Sequence, residues 1–326
     1  MQVVNDRIPL DDNGSIPMVE LGRRYRLENQ WDVVVLITDL PMRLGTTPLV
    51  ADYNTEHRVA VLSVPALGAI QLRNRLCGLA VPLIQHLAEP DAGTPTPSSP
   101  FAKRMGSLRV PVRHISADSP KDDQYLALAG FGGRLQMLLG MVRSNRPWRL
   151  VPSLESATAA AAATAAFPMF YSGLWPMADM LRPGRLVLIS ALAISAMVAW
   201  FICYNRLWDR PSGHRERGEA VLFNTSTVIT LAIGVAVMYV VLYSVIMVVA
   251  LTVIDGRYLQ SQLGHPAGLG AYVRIVWLAC SMGIIAGALG SSFDSEEAVR
   301  RAAYSRRERE RQARQRQQED RADQIT

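Results

Sequence analysis

The chain has 326 residues, with 34 basic and 28 acidic side chains and a formal net charge of +6. Lys103 and Lys121 are its only lysines, an arginine bias that fits a GC-rich genome better than a nucleic-acid surface, which needs clustered basic residues interleaved with aromatics. Cys77, Cys203 and Cys280 stand in no paired spacing, which excludes a disulfide framework and a cysteine-based zinc site.

Residues 1–150 mix charge with short apolar runs, whereas 186–293 is dominated by long ones, so a soluble domain followed by a membrane domain is expected. The opening "MQVVNDRIPLDDNG" lacks the basic start and apolar core of a signal peptide. "QVVNDRIPL" reads as a strand and "IPMVELGRRYRLEN" as a helix. "WDVVVLITDLP" is a β-branched buried strand ending at Pro41, followed by the extended "TPLVADYN" and the strand "HRVAVLSVPAL". Ala69–Leu87 has helical spacing, with a kink or break expected at Pro82. The order β-α-β-β-β-α predicts an α/β sandwich over 1–120, and an α+β class for the whole chain.

A Pro/Ser-rich loop at 89–101 follows, then a strand at "SLRVPVRHI". A helix is predicted over Tyr125–Val142, capped by Asp122 or Asp123. Residues 121–152 thus form a lead-in helix and a basic juxtamembrane segment. Arg143, Arg146 and Arg149 are placed there to meet lipid headgroups. The helix either lies on the membrane surface or serves as a structural lead-in.

Residues 153–294 form the membrane domain, an all-α bundle. Spans are expected at 186–204, 225–254 and 273–293, the second too long for one untilted crossing and too short for two. A fourth is expected at 156–178, which is uncharged but rich in alanine and interrupted by Pro168. Its small residues gain little on entering lipid. Parity argues for it: a first domain without an export signal and an arginine-rich tail at 295–326 both belong in the cytoplasm, which requires an even number of crossings. Trp148, Trp175, Trp208 and Trp277 fall near the expected interfaces. Ala279, Gly283, Gly287 and Gly290 form a small-residue stripe that packs within the bundle or offers a homo-oligomer face. Tyr239 and Tyr243, one turn apart, pack or reach an interface. In the tail, Arg300 and Arg301 lie close enough to the membrane to meet lipid, and the remaining arginines are nearly offset by acids.

"GMVRSNRPWRLVPS", "FYSGLWPMADML" and "SMGIIAGALGSSFDSEEAVRRAAY" resemble a family of uncharacterised actinobacterial integral membrane proteins, which implies a plasma-membrane protein and carries no activity. Within the first domain, "DVVVLITDLP…PLVADYN…RVAVLSVPAL" is similar to the N-terminal half of archaemetzincin-like zincin metalloproteases. The corresponding helix, "RNRLCGLAVPLIQHL", offers only His86 where the family has HExxH, so neither the metal site nor peptidase activity is carried over.

No phosphate-binding loop, nucleophile elbow or dinucleotide fingerprint is present. "GFGG" at Gly130–Gly133 reads as a close helix contact. His57, His86, His114, His214 and His265 are scattered, and no catalytic residue, metal ligand or cofactor is assigned. Asp39 and Asp52, near strand ends, are the candidate ligand or partner site, against a purely structural role in turns. The expectation is a non-enzymatic membrane protein presenting a cytoplasmic α/β domain as scaffold, sensor or assembly partner. Its partners would be membrane lipids and a protein. The alternatives are an enzyme or lipid-handling protein with a pocket at the inner leaflet and, third, a transporter, which the lack of ionisable groups inside the spans disfavours.

Overall fold

A computed structural model describes residues 2–4, 9, 11, 16–44, 47–88, 112–116, 123–128, 130–149, 152, 154–209 and 217–291. The chain divides into two units: 1–144 with 211–222 and 305–326, and 145–210 with 223–304. The loop at 89–101, Asp122 and the tail from 295, with Arg300 and Arg301, lie outside the described residues.

The first unit is a mixed sheet with helices on both faces. Its elements are α1 (Met18–Asn29), β1 (Val34–Thr38), β2 (Met42–Leu44), β3 (Thr47–Asn54), β4 (Val59–Ser63), α2 (Leu72–Ala88), β5 (Val112–Ser116), β6 (Asp123–Leu128) and α3 (Gly130–Asn145). The strand order is β1-β4-β3-β6-β5, with β2 pairing the start of β3. Only β1 and β4 run parallel. β4 is buried along its whole length because both of its faces are covered. Val59 and Val61 meet Met18, Leu21 and Tyr25 of α1, while Ala60 and Leu62 meet Leu79, Leu83 and Leu87 of α2. That double burial accounts for the unbroken apolar run in the sequence.

Two expectations need correction. The described residues of "QVVNDRIPL", Gln2–Val4 and Pro9, form no strand. The helix expected over Tyr125–Val142 begins at Gly130, whose φ of +73° breaks the chain after β6. Residues 123–128 are instead a strand between β3 and β5, and Asp123 pairs with Asn54 rather than capping a helix. "DQYLAL" has no β-branched residue; sheet hydrogen bonding and the Tyr53 hydroxyl, which donates to Gln124 Oε1 (2.6 Å), override its weak local preference. Pro82 lies inside α2 and is buried there without ending it.

α3 docks by close approach. A Cβ at Gly140 would overlap the Pro65 carbonyl oxygen, and one at Gly133 would come within 2.6 Å of Leu128. Gln136 Nε2 donates to the Ala66 carbonyl (2.8 Å).

The second unit is helical: α4 (Glu155–Phe170), α5 (Trp175–Met180), α6 (Pro183–Tyr204), α7 (Arg217–Val253), α8 (Gly256–Leu263) and α9 (Leu269–Gly290). Among the described residues, three helices are long and apolar enough to cross a membrane: α6, the Ala220–Val253 part of α7, and α9. α9 is central, with 61% of its most apolar window buried against 28% for each of the other two. The expected fourth span is not one helix. α4 has 16 residues, about 24 Å, short of a bilayer core of about 30 Å, and the chain breaks at Tyr171–Leu174 before α5.

α7 is tied to α9 by side-chain hydrogen bonds. Tyr239 and Tyr243 donate to the Trp277 and Val273 carbonyls of α9, and Tyr272 of α9 donates to Ile254. The portion from Tyr239 to Ile254 therefore runs antiparallel to α9. Ahead of it, Asn224, Ser226, Thr227 and Thr230 are buried polar residues; Asn224 exchanges hydrogen bonds with Asp209, and Asn145 donates to Thr230 (3.3 Å). Thr227 donates to the Phe223 carbonyl of its own helix (3.0 Å).

In the first unit, Gly140→Ala should destabilise the fold by about 1–3 kcal/mol through overlap with backbone that cannot retreat. Gly78→Ala, with open space around it, should be neutral or stabilising. Proteolysis of the full chain in detergent over a denaturant series checks both.

Candidate functional site

Three constellations in the helical unit concentrate its polar and close-packing chemistry. The first is the seam between α4 and α9. A Cβ at Gly283 would lie 2.5 Å from the Ala161 carbonyl oxygen and 3.0 Å from Ala165 Cβ; one at Gly287 would lie 2.9 Å from the Ala157 carbonyl oxygen; one at Gly290 would lie 2.5 Å from Ala160 Cβ. Ala157, Ala161 and Ala165 have no exposed surface, and Ala279 is buried on the same helix as the glycines. The glycine stripe thus faces the alanine stripe of α4. Gly290 lies at Ser156–Ala157, and Arg274, sixteen residues earlier, lies at Asp179. The segment from Ser156 to Asp179 therefore runs antiparallel to α9 over about 24 Å of its length.

The break in that segment is closed by Trp175, whose indole donates to the Pro168 carbonyl (2.7 Å) at the end of α4, where helical partners run out. Trp175 is buried, Trp277 is half-buried with its indole hydrogen-bonded, and Trp148 and Trp208 are exposed.

The second constellation is a hydroxyl cluster. Trp277 Nε1 donates to Ser190 Oγ (2.6 Å), the Tyr239 hydroxyl donates to the Trp277 carbonyl (3.0 Å), and Ser281 Oγ lies 2.9 Å from the Tyr239 hydroxyl and 3.1 Å from Ser190 Oγ. These groups come from α6, α7 and α9 and satisfy one another, so they fix helix register.

The third is a charged clip at the opposite end of the seam from Gly290. Arg274 Nη1 donates to Asp179 Oδ1 (3.0 Å) and to the Asp179 carbonyl (2.8 Å). His265 Nε2 lies 2.9 Å from Asp179 Oδ2, and its Nδ1 lies 3.1 Å from the Pro266 carbonyl. Both ring nitrogens face acceptors, an arrangement only the imidazolium can satisfy. The Pro266 carbonyl first, and Asp179 second, raise the His265 pKa above its ordinary value. Arg274 is therefore paired rather than free to snorkel. Asp179 is the only acid between Glu155 and Asp209, and Arg274 is the only charge in α9. A lone acid and a lone base beside apolar runs are a readable pairing signal, though 95 residues separate them.

The candidate site in the sheet rests on two carboxylates. Asp39 follows β1, and Asp52 sits in β3 opposite Val61 and Tyr125, on the α1 face. On the other face, His86 meets Tyr53 edge-on with ring centroids 5.8 Å apart; burial lowers the pKa of the imidazole and raises that of the phenol. Among the described residues no three His, Cys, Asp or Glu side chains are gathered as metal ligands. Of the candidate headgroup contacts, Arg143 is exposed but donates to the Ala69 carbonyl (2.6 Å), Arg146 is exposed with a φ of +50°, and the Arg149 side chain is not among those described. Comparison with family models, curated proteins and solved structures returns no match.

Because the His265 pKa is raised on folding, its contribution is complete below the unfolded value of about 6.5 and is lost as pH rises through the folded value. Amide exchange in 255–268, corrected for the intrinsic pH dependence, should be slow at about pH 5.5 and faster at about pH 8.5. Asp179→Asn should flatten that difference. At the seam, Gly287→Leu should cost about 1–3 kcal/mol, whereas Ile285→Leu, on an exposed position, should be neutral in the same unfolding measurement.

Proposed function

We propose that the protein is a non-enzymatic integral membrane protein whose bundle crosses the plasma membrane four times and presents the α/β domain in the cytoplasm as an assembly scaffold. The observation that carries this reading is the course of Ser156–Asp179, which accompanies α9 antiparallel from Gly290 to Arg274. A segment that travels the depth of a crossing helix is a crossing, even when its own residues gain little from lipid. Small-residue packing then replaces hydrophobic transfer as the force that keeps it there. Four crossings put both termini on one side, which agrees with the arginines at 206, 210, 215 and 217 after the second crossing and in the tail.

The bundle interior favours an anchor over a conduit. Its polar side chains at mid-depth, Ser190, Tyr239, Trp277 and Ser281, are hydrogen-bonded to one another, and its ion pair sits at one end. A transport path needs polar groups that exchange partners with a cargo.

Two measurements check this. In whole cells an impermeant maleimide should label Met180→Cys and spare Gly213→Cys; the reverse pattern contradicts four crossings. Purification from native membranes in mild detergent should retain a stoichiometric protein partner, and retention of a lipid or nucleotide in its place would favour an enzyme or lipid-handling protein.

A further inference from the structure

Over its first turns α3 leaves one helix face of the first unit uncovered, and that face closes only at its end, where Val142 is buried. α3 buries Gly133, Met137, Gly140 and Met141 against the body of the domain. Its opposite face carries Phe131, Leu135 and Leu139 at i, i+4 and i+8, and these are 81%, 45% and 46% exposed. The stripe is flanked on its two sides by the exposed Arg134 and Arg143. Beside Arg143, whose guanidinium is bonded to the Ala69 carbonyl, Ile70 is 70% exposed and extends the apolar surface. A row of large apolar side chains bordered by cations is the pattern of a helix lying in a headgroup layer.

We infer that this face of α3 docks on the lipid surface, with Phe131, Leu135 and Leu139 entering the acyl boundary and Arg134 and Arg143 meeting anionic headgroups. Two further observations select lipid over a protein partner. Nine residues, 146–154, separate the end of α3 from the start of the membrane-associated helices, a reach of at most about 30 Å that keeps the helix near a bilayer at all times. From Gln124 to Leu154 there is no acidic residue, and the arginines at 134, 143, 146 and 149 are the only charges, a composition that complements anionic lipid. The inference requires only that the helical unit be embedded in a membrane. It holds whichever side the α/β domain occupies.

The test uses the full chain in nanodiscs, with Cys77, Cys203 and Cys280 replaced and a nitroxide placed at Phe131→Cys, Leu135→Cys or Leu139→Cys. Val245→Cys, exposed on α7, serves as the lipid reference, and Asn74→Cys, exposed on α2, as the water reference. The ratio of collision rates with oxygen and with a water-soluble nickel chelate should be several-fold higher at the three α3 positions than at Asn74→Cys. Adding phosphatidylglycerol to phosphatidylcholine should raise it further, and Arg134→Gln with Arg143→Gln should remove that increment. Ratios equal to the Asn74→Cys value overturn the inference, and so does shielding from both reagents, which means a protein cover. A water-like ratio at Val245→Cys would instead contradict the membrane reading itself.

Discussion

The helical unit depends on one contact, the approach of the α4 backbone to the glycine stripe of α9. Van der Waals packing strengthens steeply as two helices close, and only glycine opposite alanine allows the spacing seen where Gly283, Gly287 and Gly290 meet the 156–165 segment. Everything else in the bundle is arranged around α9. α6 and α7 are held in register with it through Ser190, Tyr239 and Ser281, and the return of the chain from α4 is fixed at its far end by the pairing of Asp179 with Arg274. A side chain as large as leucine on the stripe would separate the two backbones, and the register devices would lose their partners.

The same contact explains why a segment poor in hydrophobic payload belongs in this bundle. Alanine and threonine contribute little transfer energy, and Pro168 forfeits a backbone hydrogen bond. The costs are met locally: Trp175 supplies a donor to the Pro168 carbonyl, and Thr158 returns its hydroxyl to the Leu154 carbonyl. Polar loose ends along this packed segment are thereby satisfied within the protein.

The sequence made some of this legible and hid the rest for physical reasons. Long uncharged apolar runs announce themselves by hydropathy, and α6 and α9 lie close to their expected limits. The alanine segment did not, because its residues are suited to a neighbouring helix rather than to lipid, and no scale of transfer energy registers that. In the sheet, β1 and β4 are readable from their β-branched runs, while β6 reads as a helix start because "YLAL" favours a helix until β3 and β5 supply hydrogen bonds on either side. The Asp179–His265–Arg274 clip was hidden by separation along the chain, not by chemistry. Asp39 and Asp52 could be picked out by their place near strand ends: Asp39 follows β1 and Asp52 sits in β3.

The central claim is that the glycine stripe of α9 is filled by α4 of the same chain. It is tested most directly by disulfide formation between Ala161→Cys and Gly287→Cys in an otherwise cysteine-free chain in native membranes. A Cβ at position 287 would lie 3.1 Å from that of Ala161, a few tenths of an ångström inside the usual disulfide range, so a small relaxation suffices. The account predicts rapid bridging within one chain under mild oxidant. Disulfide-linked dimers, or thiols that stay open to a lipid-soluble maleimide, would contradict it.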